Sequence, residues 1–519
     1  MTTQNPGAMP PLPRLASLAR SAFFVAGSLS VLVFWIAIAR NHSLGIRVNS
    51  LRAFVMYVAL PIGAALSCFT ATAFKPIHRV QFLALSTVVV VSTYLMEILL
   101  AVFFSSAPPK GQMTTWMASE SAARLSAKLG LPIDLRGAEQ VLAESQRTGD
   151  IVPILPPSFV MDTVGDELHS ALRINGAEAI ALGAISRRTT LLCNENGDWI
   201  SYRADRRGFV NPHSAWNFAD LDTALLGDSF TQGYCVPPDR SFASFIRKQV
   251  PRTLNLGMAG DGPLLELATL SELLPARRPK AILWCYFEGN DLTDLQHERK
   301  TPILANYLNE GFTQELLRDQ DQVDRGIADE IPRFVQEGHR ADEQRPRNAV
   351  RYALAASLKL TAVRERFGLL AGQTEPETAA ARDFNGANLD VFRTVMSEAR
   401  RRADEWNGRL YFVYLPAWER FTGRYRSPGE AKRDDALRIV RGLGLPIIDI
   451  VPAFSAQTDP LALFPFRTPG HYTEAGHRLV ADEVLRYLKS NQVAGVRAHS
   501  AVRIAAVETP HASSARNRR

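Results

Sequence analysis

Four short blocks in the second half of the chain carry the side chains that acyl-transfer chemistry needs. They are GDSFTQG at 227–233, NLGMAGDGP at 255–263, EGNDL at 288–292 and GHYTEAGH at 470–477. Acyl transfer requires a nucleophile, a base that takes its proton, and hydrogen-bond donors for the developing oxyanion. Ser229 offers the hydroxyl and His471 the base. The N–H groups of Ser229 and Gly260 and the side-chain amide of Asn290 are the candidate oxyanion donors.

Other residues in the same blocks compete for these roles. His477 is the rival base, but its position further into a helix favours packing and therefore His471. Gly257 competes with Gly260 as an oxyanion donor, and the spacing favours Gly260. Asp228 is expected to support the turn before Ser229 rather than to act as an acid. Ser229 itself could simply cap the helix that follows it, a role that serine often takes.

The segments that must position these blocks alternate between apolar strands and helices. Strands are predicted at 224–227, 253–257, 281–287, 410–415 and 446–450. Continuous apolar strands with helical crossovers predict a parallel sheet covered on both faces, and therefore a three-layer α/β sandwich. Active groups in such sheets lie beyond the carboxyl ends of the strands. The first three blocks follow the first three strands, and the histidine block comes after the fifth.

This ordered set resembles the SGNH, or GDSL-type, hydrolase superfamily over roughly residues 222–300 and 408–489. The resemblance implies a flavodoxin-like SGNH hydrolase fold in which Ser229 is the nucleophile and His471 the base. It also implies that Gly260 and Asn290 are oxyanion donors. Membrane-anchored relatives include esterases and periplasmic enzymes that add or remove acetyl groups on cell-wall and exported polysaccharides.

The chain departs from the family pattern at the residue that orients the histidine. The family usually has an aspartate three residues before the histidine, where this chain has Thr468. A wrongly oriented imidazole in a Ser-His-Asp triad costs ~10⁴ in rate. Three arrangements stay open: a Ser–His dyad held by a backbone carbonyl, a carboxylate from Asp449 or Asp459, or an inactive descendant. The presence of Ser229, Gly260 and Asn290 favours activity.

The four cysteines are Cys68, Cys193, Cys235 and Cys285, and none forms a CxxC pair or lies near a histidine at metal-ligand spacing. A structural zinc site is therefore not expected. Cys193 and Cys235 are the candidate disulfide pair if their compartment is oxidising. No metal-ligand cluster, GxGxxG or GxxxxGK[ST] motif is present, so no cofactor is predicted.

Three apolar runs, at 21–39, 53–74 and 82–104, precede the strands. Each is long enough to cross a bilayer, at ~28–34 Å. The flanking basic residues place the N-terminus inside, by the positive-inside rule, and everything after residue 105 outside. The prediction is a multi-pass protein of a bacterial inner membrane, with its catalytic domain in the periplasm or outside the cell.

One acidic residue lies within the third apolar run. A carboxylate such as Glu97 costs ~2.5–3.5 kcal/mol at the centre of a membrane helix. The favoured prediction is a neutral carboxyl bonded to a neighbouring helix near Ser67 or Thr70. Contact with a partner membrane protein, or a polar path, is the alternative.

Charge and length define the rest of the organisation. The 519 residues carry a formal net charge of +7, of which +4 lies from residue 497 onward, so no nucleic-acid partner is expected. The predicted parts are listed in chain order: a cytoplasmic segment 1–20, three transmembrane helices 21–104, a connecting subdomain 105–220, an SGNH-like domain 221–490 with a helical insertion at about 296–385, and a disordered basic tail 491–519.

The function predicted from these features is a membrane-anchored serine hydrolase that cleaves small acyl esters, with acetyl groups on a carbohydrate as one candidate substrate. The first alternative is an O-acyltransferase that works on an exported or cell-wall polysaccharide with a membrane acyltransferase or acyl-carrier partner. The second is a catalytically inactive glycan-binding or scaffolding protein, which the threonine at position 468 favours.

Overall fold

The structure is a computed structural model. It describes residues 11–43, 59–104, 126–127, 130–146, 151–358, 360, 363, 379–422 and 428–493. The predicted basic tail lies outside the described residues from position 494 onward, as do the first ten residues of the predicted cytoplasmic segment.

Three apolar helices open the described chain: α1 Pro11–Ser43, α2 Leu60–Ala71 and α3 Pro76–Phe104. Within the described residues, two stretches are long and apolar enough to cross a membrane, Pro13–Leu32 and Pro76–Leu99. The described residues therefore show two of the three predicted spans. Of the middle run, residues 53–58 lie outside the described residues, and its described helix has 12 residues.

Among its described residues, the connecting part contains a helix and seven short strands. They are α4 Ala138–Gln146, β1 Ile151–Pro153, β2 Met161–Val164, β3 Glu167–Ser170, β4 Arg173–Ile174, β5 Ala177–Glu178, β6 Thr189–Cys193 and β7 Ile200–Arg203. β6 lies at the centre of a three-stranded sheet, parallel to β1 and antiparallel to β7. β2 pairs with β3 and β4 with β5 as antiparallel hairpins.

The remaining chain forms the α/β domain. Its elements in order are β8 Thr223–Gly227, α5 Ser229–Gln232, α6 Phe242–Gln249, β9 Thr253–Asn255, α7 Pro263–Leu273, β10 Ala281–Phe287, α8 Asp291–Glu298, α9 Pro302–Ala305, α10 Gln320–Leu358, α11 Ala379–Asp404, β11 Arg409–Leu415, α12 Pro428–Gly442, β12 Ile447–Asp449, α13 Val451–Ser455 and α14 Glu474–Ser490. Short 3₁₀ turns connect several of these elements, including Pro157–Val160 and Pro465–Arg467.

Strands β8 to β12 form one parallel sheet in the spatial order β12-β11-β10-β8-β9. All five predicted strands fall on these strands, which confirms the α/β prediction. Because β8 and β10 are neighbours while β9 lies outside β8, the direction of strand succession reverses between β8 and β10. Ligands of open α/β sheets bind at such a switch point, beyond the carboxyl ends of the strands.

Side chains on both faces of this sheet are buried, as the continuous apolar strands predict. Along β8, Leu226 belongs to the core that contains α7 and α11, whereas Leu225 packs with α6 and α14. β10 alternates in the same way, with Trp284 on the first face and Leu283 on the second. Helices therefore cover both sides, and the strand ends are the part of the sheet left open for a site.

Candidate active site

The turn between β8 and α5 presents Ser229. Gly227 ends the strand at φ +152°, where a Cβ atom would lie 2.2 Å from Thr231 Oγ1 and 2.8 Å from the Cys285 carbonyl oxygen. The chain therefore turns sharply at a position that tolerates only glycine. Asp228 is buried, and its Oδ1 accepts a hydrogen bond of 2.9 Å from the Phe230 N–H. This cap leaves Ser229 partly exposed at the first position of α5.

His471 lies against this serine. Its Nε2 is 2.8 Å from Ser229 Oγ, although the two residues are 242 positions apart in sequence. The imidazole is 18% exposed and contacts the rings of Phe230 and Tyr234, at centroid distances of 4.6 and 4.7 Å. The predicted nucleophile and predicted base are therefore within hydrogen-bond distance of each other, as a general base must be.

The other imidazole nitrogen faces a glutamate that the sequence analysis did not propose. Both carboxylate oxygens of Glu195 lie 3.0 Å from His471 Nδ1, and Oε2 also accepts the His471 backbone N–H at 2.8 Å. Glu195 is 6% exposed. A buried carboxylate on Nδ1 holds the imidazole in the tautomer that leaves Nε2 free to accept the serine proton.

Two of the three arrangements that the sequence left open, a backbone carbonyl on His471 and a carboxylate from Asp449 or Asp459, are not those of the structure. Asp449 forms an ion pair with Arg433, and Asp459 forms one with Arg467. Thr468 donates its hydroxyl hydrogen bond to the Pro465 carbonyl oxygen. Neither a backbone carbonyl nor either aspartate therefore occupies the Nδ1 side, and Glu195 takes that position.

Glu195 comes from the connecting part of the chain and not from the α/β domain. It lies two residues after the end of β6, where Cys193 forms a disulfide bond with Cys235. Asn196 Nδ2 donates to the Cys235 carbonyl oxygen at 2.7 Å, so the loop is held on both sides of Glu195. Cys235 follows α5, and the disulfide therefore ties the loop that carries Glu195 to the turn that carries Ser229. The cysteine pair was the sequence signal that could have led to this loop.

The predicted oxyanion donors differ in how their N–H groups are used. Gly257 N–H donates to Asn255 Oδ1 at 3.1 Å, which removes it as a rival donor. A Cβ atom on Gly257 would lie 2.4 Å from the Gln232 backbone nitrogen, so this glycine serves close packing behind α5. Gly260 is at φ +82°, and within the described chain neither its N–H nor that of Ser229 donates a hydrogen bond. Both N–H groups are available to an oxyanion.

Asn290 lies at the N-terminus of α8, next to the nucleophile turn. Its Nδ2 donates to Asp294 Oδ2 at 2.7 Å, which uses one of its two N–H bonds. Asp291, which is buried, accepts the Phe287 N–H at 3.0 Å and so fixes the turn between β10 and α8. Asn290 also contributes a hydrogen bond to the buried Asp228, so the turn holds its amide beside the residue that precedes Ser229.

The charges around His471 decide its protonation. Burial lowers the pKa of His471, but the negative charge of Glu195, the hydrogen bond to it and the charge of Asp228 outweigh burial and hold the pKa above its usual value. Burial also raises the pKa of Asp228 to about 6, against the opposing charge of His471. The rival His477 is fully buried, and burial together with the charge of His471 lowers its pKa to about 3. His477 accepts the Phe242 N–H and has a packing role.

Glu195, Cys235 and His471 also have potential metal-ligand atoms within 4.8 Å of one another. The Cys235 sulfur is bound in the disulfide and offers no thiolate, which is the form that binds metals. The Glu195 carboxylate and His471 Nδ1 are hydrogen-bonded to each other, as in a pair of catalytic side chains. This donor set does not fit a metal ion.

Comparisons with known proteins give structural likenesses only. No family model and no curated protein matches the chain. The solved structures that it resembles include proteins of the G-D-S-L lipolytic family and acetylxylan esterases. A lipase/acylhydrolase from Enterococcus faecalis is 12% identical, with a TM-score of 0.28, over 52% of this chain and 96% of that one.

Two further solved structures give similar values. A member of the lipolytic protein G-D-S-L family from Veillonella parvula DSM 2008 is 11% identical, with a TM-score of 0.27, over 52% of this chain and 98% of the other. A catalytic mutant of an acetylxylan esterase from Geobacillus stearothermophilus is 11% identical, with a TM-score of 0.28, over 54% and 98%. At such TM-scores and identities these likenesses carry no functional conclusion by themselves.

Proposed function

We propose that this protein is a membrane-anchored serine ester hydrolase of SGNH type. The observation that carries the proposal is the continuous hydrogen-bonded row of Ser229 Oγ, His471 Nε2, His471 Nδ1 and the Glu195 carboxylate. A nucleophile, a base and an orienting acid in this order form the arrangement that activates a serine hydroxyl. It argues against the non-catalytic alternative, for which such a row has no use.

The proposed reaction follows from these contacts. Ser229 Oγ attacks the ester carbonyl carbon while its proton passes to His471 Nε2, and Glu195 stabilises the imidazolium that forms. The N–H groups of Ser229 and Gly260 and the side-chain amide of Asn290 bind the oxyanion. His471 then returns the proton to the leaving alkoxide, and a water molecule activated by the same histidine hydrolyses the acyl-enzyme.

We propose small acyl esters, with acetyl groups on carbohydrates first, as the substrates. Gly260 faces the connecting part so closely that a Cβ atom there would lie 3.0 Å from Ser158 Oγ and 3.1 Å from Pro156 Cβ. Pro156 and Ser158 therefore form a wall that leaves no spare room beside the loop of Gly260, which favours a short acyl group. The disulfide supports placing the domain in an oxidising compartment outside the inner membrane, with α1 and α3 as the anchors.

The test of this function is covalent labelling of the full chain with a fluorophosphonate. We expect one adduct, located on Ser229 by peptide mass spectrometry, and much slower labelling of His471→Ala because the base is lost. Ser214→Ala, at an exposed serine outside the site, is the matched control and should label at the wild-type rate. An adduct on another residue, or no adduct on the folded protein, would contradict the proposal.

We expect the disulfide to be needed for catalysis as well as for stability. The Cys193→Ser/Cys235→Ser variant leaves the loop of Glu195 less restrained, and a displacement of about 1 Å at a catalytic group can cost ~10² in rate. We therefore expect kcat to fall by up to ~10²-fold with KM nearly unchanged, and stability to fall by about 2–4 kcal/mol. Steady-state kinetics at a temperature well below unfolding separate the two effects.

The control for this variant is a thiol reductant. It should lower the kcat of the wild-type enzyme towards that of the double serine variant and leave the variant itself unchanged. A double serine variant with wild-type kcat would show that the loop holds Glu195 without the disulfide.

A further inference from the structure

We propose that the C-terminal end of α10 rests in the interface of the membrane, with Leu354 and Leu358 in contact with lipid and Glu97 fastening the chain that follows. This inference rests on the proposed membrane anchoring by α3. It assigns the lipid bilayer as the partner of α10. This contact plays no part in the proposed reaction.

The first observation is the partner of Glu97. Its Oε2 accepts the backbone N–H of Val363 at 2.7 Å, and the side chain is 1% exposed. One turn earlier on α3, the Tyr94 hydroxyl lies 3.5 Å from the Leu358 carbonyl oxygen. Tyr94 and Glu97 both belong to the candidate span Pro76–Leu99. Leu358, at the end of α10, and Val363 therefore lie directly against that span.

This contact differs from the one predicted for Glu97. The Thr70 hydroxyl, one of the expected partners, lies 2.7 Å from the Leu66 carbonyl oxygen and 3.0 Å from the Ser67 carbonyl oxygen of its own helix. A backbone N–H beside lipid has no water to bond and costs several kcal/mol if left unsatisfied. A carboxyl in the same place is also costly alone. The Glu97–Val363 bond satisfies both groups, and such a bond is most useful where water is excluded.

The second observation is the apolar face next to this contact. Leu354 and Leu358 lie four residues apart, so they share one face of α10, and they are 61% and 62% exposed. On α3, Leu95 and Leu99 are 55% and 46% exposed near the same end of the span. If α3 crosses a bilayer, its exposed leucines face lipid. The leucine face of α10, joined to α3 through Tyr94 and Glu97, is then continuous with that lipid-facing surface.

The other end of α10 is held by the connecting part of the chain. Asp324 accepts hydrogen bonds from the backbone and hydroxyl of Ser186, at 3.0 and 2.6 Å. Arg333 donates to the Phe159 carbonyl oxygen at 3.0 Å. The preceding residue, Ser158, lies against Gly260. From Arg333 to Leu358 the helix rises ~38 Å. α10 therefore connects a wall of the candidate site to the membrane surface.

Nitroxide labels on the full chain in proteoliposomes test this inference. Single cysteines at Leu354 and Leu358, in a Cys68→Ser background, are compared with Val89→Cys on α3 and Val164→Cys on the β2–β3 hairpin. Val89 and Val164 are 56% and 62% exposed, so all four labels are on accessible side chains. Accessibility to oxygen and to a water-soluble nickel chelate reports whether each label contacts lipid or water.

We expect the labels at Leu354 and Leu358 to prefer oxygen, as the label at Val89 does, and the label at Val164 to prefer the nickel chelate. A lipid signal at Val89 with a water signal at Leu354 and Leu358 would overturn the inference while leaving the anchor intact. A water signal at Val89 would overturn the anchor and the inference together. Glu97→Ala should shift the label at Leu358 towards water and leave the label at Val89 unchanged. An unchanged label at Leu358 would contradict the fastening role of Glu97.

Discussion

Replacing either Ser229 or His471 with alanine is expected to lower kcat for hydrolysis of p-nitrophenyl acetate by ~10⁶-fold, the scale found when a serine–histidine pair is removed. The reason is geometric, because the serine hydroxyl is 2.8 Å from His471 Nε2, the nitrogen positioned to take its proton. Since the two side chains act as one unit, the double variant should be no slower than either single variant. Steady-state kinetics on all three variants measure this.

The matched controls for these variants lie side by side on the surface. Ser214→Ala and His213→Ala change the same residue types at exposed positions of one 3₁₀ turn, away from the site. Both should keep wild-type kcat and KM. If Ser229→Ala kept more than about 1% of the wild-type kcat, its loss of rate would be far smaller than the loss that removal of a triad member produces. Such a result would mean that another nucleophile carries the reaction.

The parts of this fold that follow local patterns were predictable. Five apolar strands alternate with helices, and a parallel sheet must place the residues after β8 and β10 at one edge, so Ser229 and Asn290 could be expected together. The spacing also favours Gly260 over Gly257, and in the structure the Gly257 N–H donates to Asn255 Oδ1, while within the described chain the Gly260 N–H donates no hydrogen bond. The sequence offers Cys193 and Cys235 as the candidate pair on condition of an oxidising compartment, and the structure joins them in a disulfide.

The residues that escaped prediction depend on contacts between separate parts of the chain. Glu195 reaches His471 across 276 positions, from a loop that belongs to another sheet, and no periodicity relates the two. Glu97 meets Val363 across 266 positions by bonding to a backbone N–H, which every residue type except proline offers. The third predicted span, the middle apolar run, is described only from residue 59 onward and stays a prediction.

Replacing Glu195 with glutamine is expected to lower kcat by ~10⁴-fold, as an amide in place of the triad acid favours the wrong imidazole tautomer. The substitution also changes the pH dependence. The base must be neutral to accept the serine proton, so activity rises with pH through the pKa of His471. Burial lowers this pKa, while the charge and hydrogen bond of Glu195 raise it and prevail. The acidic limb of the wild-type profile should therefore lie above the usual histidine range.

Without the carboxylate charge the pKa of His471 falls, and the acidic limb of Glu195→Gln should move to lower pH while the plateau drops. A purely structural role for Glu195 would lower the plateau without moving the limb. The profile of kcat/KM against pH distinguishes the two. Glu195→Asp keeps the charge on a shorter side chain, so it should recover part of the rate and return the limb towards the wild-type position.

Asp449→Asn and Asp459→Asn are the matched controls, because they remove the two carboxylates that the sequence had offered for this role. Each pairs with an arginine away from His471, so both variants should keep the wild-type plateau and acidic limb. If Asp449→Asn or Asp459→Asn lost ~10⁴ in kcat while Glu195→Gln stayed active, the acid would be the one expected from sequence. The contacts of both Glu195 oxygens with His471 Nδ1, and of one with the His471 backbone N–H, argue for the opposite result.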